Sequence, residues 1–104
     1  MRILFLLINI TFIFSTVIIV EPYLQNASPT SIYIMWETSN NPESIIEWGT
    51  TISLGSVTVG TAENANGSSY IHTVFLDELT PDTRYYYKAI TNDAISGVFD
   101  FITP

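Results

Sequence analysis

Apolar and polar residues alternate along most of the chain beyond residue 20. Successive side chains of a strand point to opposite faces, so a period of two residues predicts strands that bury one face. Such runs are separated by turn-forming Asn, Asp, Gly and Pro residues, and no segment has the period of a helix. They cover 31–38, 43–49, 56–60, 70–76, 85–91 and 97–102, and the polar segment 63–69 is expected to be a loop. About seven short strands at this spacing predict an all-β fold, a seven-stranded antiparallel sandwich.

The inward-facing positions of these runs are rich in aromatic residues. Aromatic side chains bury a large area each, which suits the core of a small domain. The predicted core consists of Ile32, Ile34, Trp36, Ile46, Trp48, Val74, Leu76, Leu79, Tyr85, Tyr87, Phe99 and Phe101.

The opposite faces of the strands are less polar than a solvated sheet requires. By alternation, Tyr33, Met35, Ile45, Tyr86 and Ile90 all point away from the core. These residues are either scattered surface hydrophobics, which are normal, or part of an outer face that packs on another domain. The sequence leaves both interpretations open.

The segment before the run 85–91 has the pattern of a tyrosine corner. In sandwiches of this kind a Tyr near the start of a strand directs its hydroxyl back to the backbone of the preceding connection. Leu79 is expected to close one end of the core, Pro81 sets the backbone of the turn, and Tyr85 is the candidate for the hydroxyl. Such a corner stabilises the fold and has no catalytic role.

The first twenty residues form an apolar leader. Met1 and Arg2 precede the uncharged segment 3–20, which is typical of a secretory signal peptide and is also close to the minimum length for a membrane anchor. Either interpretation places the remainder, 21–104, outside the cytoplasm, secreted if the leader is cleaved and membrane-anchored through 3–20 if it is not.

Beyond this leader the chain is acidic and contains no cysteine. Ten Asp and Glu residues stand against Arg84 and Lys88, and an acidic surface repels nucleic acid. The absence of cysteine excludes disulfides and thiolate metal sites.

No residue of the chain is a convincing catalyst or metal ligand. His72 is the only histidine, and a single histidine in a strand is far more often a hydrogen-bonded packing residue than a ligand, because zinc and iron sites need several converging ligands. Asp77 and Glu78 are adjacent, so they would point to opposite faces of a strand, and turn solvation explains them better than catalysis. The sequence predicts no catalytic, cofactor-binding or metal site.

Two sequons lie beyond the leader. Asn66-Gly67-Ser68 falls in the predicted polar loop and is a candidate glycosylation site. The sequon at Asn26 is followed by Pro29, which is expected to weaken it.

Several blocks together resemble the N-terminal domain of purple acid phosphatases, a fibronectin type III-like, immunoglobulin-like sandwich. The resemblance covers essentially all of 21–104, and the combination of blocks is more specific than the tyrosine corner alone. The blocks are Pro22-Tyr23-Leu24-Gln25, Met35-Trp36-Glu37-Thr38, Glu47-Trp48-Gly49-Thr50-Thr51, Ile71-His72-Thr73-Val74-Phe75-Leu76, Leu79-Thr80-Pro81-Asp82-Thr83-Arg84-Tyr85-Tyr86-Tyr87-Lys88 and Gly97-Val98-Phe99-Asp100-Phe101.

The resemblance implies an acid phosphatase whose chemistry lies in another domain. That family hydrolyses phosphate monoesters at a dinuclear iron–metal centre, and its Asp, Asn, His and Tyr ligands belong to a C-terminal metallophosphoesterase domain. None of those ligand blocks occurs here, so no active-site residue is carried over, and the tyrosines 85–87 do not correspond to the ligating tyrosine.

We therefore expect a non-catalytic accessory domain from a gene fragment that lacks the catalytic domain. Its expected partner is the metallophosphoesterase domain, with no cofactor in this chain, no nucleic acid, and a membrane only if the leader is uncleaved. The alternative is a stand-alone extracellular interaction module, anchored to the membrane by the leader.

Overall fold

The computed structural model describes residues 15–104, which form an all-β sandwich of two antiparallel sheets. Most of the predicted leader lies outside these described residues, and with it the choice between signal peptide and anchor. The strands are β1 Ile18–Gln25, β2 Ile32–Thr38, β3 Ile45–Gly49, β4 Ser56–Val59, β5 Thr61–Asn64, β6 Tyr70–Leu76, β7 Arg84–Thr91, β8 Ala94–Ile95 and β9 Phe99–Ile102.

The strands divide into a four-stranded and a five-stranded sheet. The first has the order β1-β2-β6-β5, and the second has the order β4-β3-β7-β8, with β9 also paired to β7. The predicted fold class is confirmed, but the described residues contain nine strands, where the sequence shows six alternating runs and predicts a total of about seven; β1, β5 and β8 are the additional strands. One cause is that the chain changes sheet at Gly60 and forms the short strand β5 directly after it. β5 includes the first two residues of the polar segment 63–69, which was predicted to be a loop. Another is that the last predicted strand is preceded by the short β8.

The first strand begins earlier than the expected domain start at Glu21. Ile18 pairs with Thr38, and Val20 pairs with Glu37. The register of β1 shifts around Pro22, which has no N–H to donate and is tolerated because β1 is an edge strand. The residues 18–20 therefore belong to the sandwich, although their hydropathy continues that of the leader.

The core follows the predicted inward set closely. Eleven side chains form its buried cluster, and Trp48 packs against it partly buried. Phe99 was expected inside, yet it is 36% exposed, because it lies at the first position of the edge strand β9, whereas Phe101 further along that strand is buried. Ala89 is the one core member that the prediction omits. The cluster consists of Ile32, Ile34, Trp36, Ile46, Val74, Leu76, Leu79, Tyr85, Tyr87, Ala89 and Phe101.

Candidate functional site

The connection between β6 and β7 is held by the hydroxyl of Tyr85. The backbone N–H of Thr80 donates a hydrogen bond to this hydroxyl at 2.8 Å. Leu79 is buried at the end of the core, and Pro81 lies in the turn that follows. The hydroxyl gives a partner to a backbone group that has no place in either sheet ladder, so these residues stabilise the fold.

His72 lies at the centre of a buried polar network between the two sheets. Its Nε2 is 2.7 Å from Thr38 Oγ1, and its Nδ1 is 2.7 Å from Ser44 Oγ. Each hydroxyl also faces a backbone carbonyl, Thr38 Oγ1 at 2.9 Å from Asn40 O and Ser44 Oγ at 3.0 Å from Pro42 O. Both ring nitrogens are therefore committed to hydroxyl groups and offer no lone pair to a metal.

Trp36 and Thr91 extend this network to the five-stranded sheet. The indole stacks on the His72 ring with centroids 4.9 Å apart, and its Nε1 donates to Thr91 Oγ1 at 2.9 Å. Thr91 Oγ1 in turn donates to the carbonyl of Glu43 at 2.7 Å. The network therefore links the two sheets through polar contacts inside the core, as a fully satisfied buried network can.

The hydroxyl partners of His72 were not found from the sequence. Thr38, Ser44 and Thr91 are buried, and Thr38 and Thr91 occupy inward positions of β2 and β7. The signal that could have found the two threonines is their position in the alternation. Each lies two residues after the last inward apolar residue of its strand, so it also points inward. Threonine is common on both faces of a strand, so phase alone did not single them out.

Burial also changes the acid–base chemistry of His72. Desolvation lowers the pKa of its imidazole from 6.5 to about 4, so the ring is neutral at neutral pH. Across residues 15–104, no three His, Cys, Asp or Glu side chains are grouped closely enough to hold a metal ion. The structure thus supports the interpretation of His72 as a hydrogen-bonded packing residue.

The remaining sequence candidates are exposed and lie in two different loops. Asp77 and Glu78 lie in the connection after β6, where Glu78 adopts a positive φ of 55°. Asn66 lies in the loop before β6, exposed and at a φ of 37°. Their positions fit a turn and an accessible loop, and the structure does not bring them into a common site.

An open cavity lies at the end of the sandwich where the loops β2–β3, β5–β6 and β7–β8 converge. It has a volume of about 610 Å³ and is lined by Ser39, Asn40, Asn41, Ser68 and Asn92. The lining residues carry amide and hydroxyl groups and no charge, although most of the surface that they expose to the cavity is apolar. Its backbone is held locally, since Asn41 Oδ1 accepts from the N–H of Glu43 at 2.9 Å.

The outer face of the four-stranded sheet carries an aromatic patch. Tyr33 and Phe75 are paired across β2 and β6 with ring centroids 4.7 Å apart, and the pair Tyr23 and Met35 lies beside them. Phe75 is 43% exposed and Tyr33 is 36% exposed. We call these four residues the aromatic face.

The outer face of the five-stranded sheet is separate and of different character. Ile45, Tyr86 and Ile90 lie on it, whereas Tyr33 and Met35 lie on the other sheet. The five outward residues named from the sequence therefore do not share one outer face. Alternation shows that each residue points outward but cannot assign its strand to one of the two sheets.

Within residues 15–104, the structure contains no helix with the length and hydropathy needed to span a bilayer.

Comparison with known proteins identifies one matching family. The model described as "Purple acid Phosphatase, N-terminal domain" matches residues 19–103, and so spans β1 to β9 almost completely. A search of curated proteins found no match.

Solved structures with the same fold include the sensor domain of the anti-sigma factor RsgI4 from Pseudobacteroides cellulosolvens. Its short form has a TM-score of 0.61 at 15% identity, covering 83% of this chain and 93% of that chain. Its long form has a TM-score of 0.61 at 17% identity, covering 84% of this chain and 89% of that chain. At such identities the similarity shows the fold alone.

Proposed function

Because the chain belongs to the family of purple acid phosphatase N-terminal domains, we propose that it is the non-catalytic accessory domain of a purple acid phosphatase-like protein. The observation that carries the proposal is the family match over 19–103, which is the sandwich itself. In the parent protein a C-terminal metallophosphoesterase domain would hold the dinuclear iron–metal centre and perform the hydrolysis. The leader supports a location outside the cytoplasm.

The side chains with acid–base potential support a structural role. His72 is enclosed between two hydroxyls, and its imidazole remains neutral at neutral pH. Tyr85 uses its hydroxyl to hold a backbone N–H. Neither group is free to bind a phosphate ester or a metal.

The aromatic face is the surface that we assign to the neighbouring domain. Tyr and Met are enriched at the cores of protein interfaces, and here they form a contiguous outer patch. The acidic residues Glu37 and Glu63 lie on the same sheet, so a matching partner surface would be apolar with Lys or Arg at its rim.

The first prediction concerns activity. The purified full chain, assayed with an aryl phosphate at acidic pH and supplied with Fe³⁺ and Zn²⁺ or Mn²⁺, is expected to release no phenol above a blank that contains the metals alone. The physical reason is that hydrolysis of this kind needs ligands that fix and polarise the metal-bound water.

Metal-dependent hydrolysis that co-purifies with the chain and rises with its concentration would refute the proposal. The control is a His72→Gln variant, which removes the only imidazole and should also match the blank.

A second candidate function is a stand-alone extracellular interaction module, anchored by the leader if it is uncleaved. The open cavity favours it, because three loops from both sheets meet there on a rigid scaffold, an arrangement that often carries recognition. A related fold serves as the sensor domain of an anti-sigma factor, so the sandwich is not restricted to enzymes. Reading the coding DNA beyond Pro104 separates the two. An in-frame Asp-x-Gly followed by Gly-Asp-x-x-Tyr supports the accessory domain, and a stop codon supports the module.

A further inference from the structure

The outer face of the five-stranded sheet carries an aliphatic row that crosses every strand position. Val59, Ile45, Ile90 and Ile95 occupy matched register positions on β4, β3, β7 and β8. Val59 and Ile95, at the two ends of the row, are 70% and 59% exposed. Single apolar residues on a surface are normal, but an unbroken row of branched aliphatic side chains is characteristic of an interaction surface.

The same face is electrically balanced, unlike the rest of the described domain. Lys88 Nζ lies 3.4 Å from Glu47 Oε2, and Arg84 forms an ion pair with Asp100. These pairs use both basic residues found in 15–104. The other eight of the ten acidic residues lie on the four-stranded sheet or in the connections, and they are Glu21, Glu37, Glu43, Glu63, Asp77, Glu78, Asp82 and Asp93.

We propose that this face is a self-association surface, on which the five-stranded sheet of a second copy packs. Any contact between other faces would bring two net negative surfaces together, whereas this face meets its own copy without net charge. In a two-fold interface the same patch serves both subunits and must be self-complementary. The aliphatic row meets this condition, and Lys88 and Glu47 in each copy supply opposite charges to their equivalents.

The size of the face indicates how strong the association is. The four strand positions, β4, β3, β7 and β8 with β9, are about 4.8 Å apart and hold 4, 5, 8 and 6 residues at about 3.3 Å each. That is roughly 360 Å² per copy and about 700 Å² in total, below the usual size of stable interfaces and within the range of weak, transient contacts. We therefore expect a dimer that forms and dissociates with concentration.

The aromatic face is a weaker candidate for the same role. Its sheet carries Glu21, Glu37 and Glu63 and no basic residue among those described, so two copies placed face to face would repel. Self-association is thus assigned to the sheet with balanced charges.

The test compares two variants that change the net charge equally. The full chain is studied by sedimentation equilibrium from about 10 μM to about 1 mM, a range that brackets weak association. The row variant, Val59→Glu/Ile95→Glu, places two carboxylates from each copy within the proposed interface. Both replaced side chains are exposed, so the variant is expected to fold. Val17→Glu/Val20→Glu is the matched control at the start of β1 in the other sheet, where the replaced residues are 57% and 40% exposed.

The wild type and the control are expected to dimerise alike, whereas the row variant shows a dissociation constant at least ten-fold higher. A wild type that stays monomeric at the highest concentration would overturn the proposal. Association that persists unchanged in the row variant would overturn it as well, because it would arise from residues 3–14 or from another face.

A second measurement uses the absence of native cysteine. Mild oxidation should cross-link Ile95→Cys faster than Phe75→Cys, and equal rates would contradict the proposed surface.

Discussion

At the scale of single residues, His72 couples the stability of the sandwich to pH. Its pKa is about 4 in the folded protein and 6.5 as a free side chain. Between these values the unfolded chain binds a proton that the folded chain does not, so protons favour unfolding. This contribution to stability is complete above pH 6.5, falls as the pH drops towards 4, and changes no further below it.

The second prediction follows from this linkage. One pKa unit corresponds to about 1.4 kcal/mol, so the free energy of unfolding should fall by about 3 kcal/mol across this window on account of His72. Urea unfolding followed by tryptophan fluorescence at several pH values measures it. In His72→Gln, which keeps a hydrogen-bonding side chain without a titratable ring, the decline between pH 6.5 and 4 should be smaller by this amount. Parallel pH profiles for the two proteins would show that the imidazole stays unshifted.

The residue scale also shows where sequence reasoning succeeds and where it stops. The inward phase of His72 and its packing role could be predicted, because alternation and the low prior for a single-histidine metal site both apply. Its partners Ser44 and Thr91, whose Oγ1 is 3.4 Å from His72 Nε2, could not be predicted, since Ser44 directly precedes β3 and Thr91 ends β7, and both meet His72 only through the packing of the sheets. Sequence spacing contains no information on such contacts.

At the scale of elements, Gly60 allows the chain to pass from one sheet to the other. β4 ends at Val59 in the five-stranded sheet, and β5 begins at Thr61 in the four-stranded sheet. The N–H of Gly60 donates to Ser44 O at 2.9 Å. A side-chain carbon at this position would lie 2.0 Å from the carbonyl oxygen of Thr73, which belongs to the backbone of β6 and cannot move freely.

The third prediction is that Gly60→Ala lowers the free energy of unfolding by about 1 to 3 kcal/mol, the usual cost of overpacking a tight contact. The matched control is Gly97→Ala, because a carbon added at Gly97 meets no atom within 4 Å. That variant should remain within about 0.5 kcal/mol of the wild type. Urea midpoints measured for both variants decide the matter, and equal destabilisation would mean that the crossing tolerates a side chain.

The elements themselves were predictable where alternation was strong. β2, β6 and β7 have clear inward and outward sides, and their positions agree with the predicted runs. β1 was not predicted as a strand, because its first residues are as apolar as the leader and its ladder is irregular around Pro22. β5 was assigned to a loop on account of its polarity, although an edge strand facing solvent needs few apolar residues.

At the scale of the whole molecule, the sandwich includes a short segment that precedes β1. The N–H of Thr16 donates to Asp93 Oδ1 at 3.0 Å, and its hydroxyl donates to Asn40 Oδ1 at 2.7 Å. Val17 exchanges two hydrogen bonds with Ser39, its N–H donating to Ser39 Oγ at 2.9 Å and its carbonyl accepting from Ser39 N–H at 2.8 Å. This segment therefore ties together two of the three loops that line the open cavity.

The fourth prediction compares chains that begin at Ser15 and at Glu21. A net contribution of about 1 kcal/mol for each of the three hydrogen bonds to Asn40 and Ser39 makes the shorter chain less stable by about 3 kcal/mol or more, because it also loses the pairing of Ile18 with Thr38. The hydrogen bond from Thr16 holds the pKa of the Asp93 carboxyl below its usual range, so this pKa should rise towards its ordinary value in the shorter chain.

Urea unfolding measures the stability difference, and a carbon-detected NMR titration of Asp93 measures the pKa. The second readout is specific, since a general loosening of β1 would lower stability without acting on this carboxylate. Equal stability, together with an unchanged pKa of Asp93, would place the start of the folding unit at Glu21, as the hydropathy of the sequence alone suggests. The expected result places it at Thr16, because the hydrogen bonds of an apolar segment are decided by its neighbours in the fold and not by its own composition.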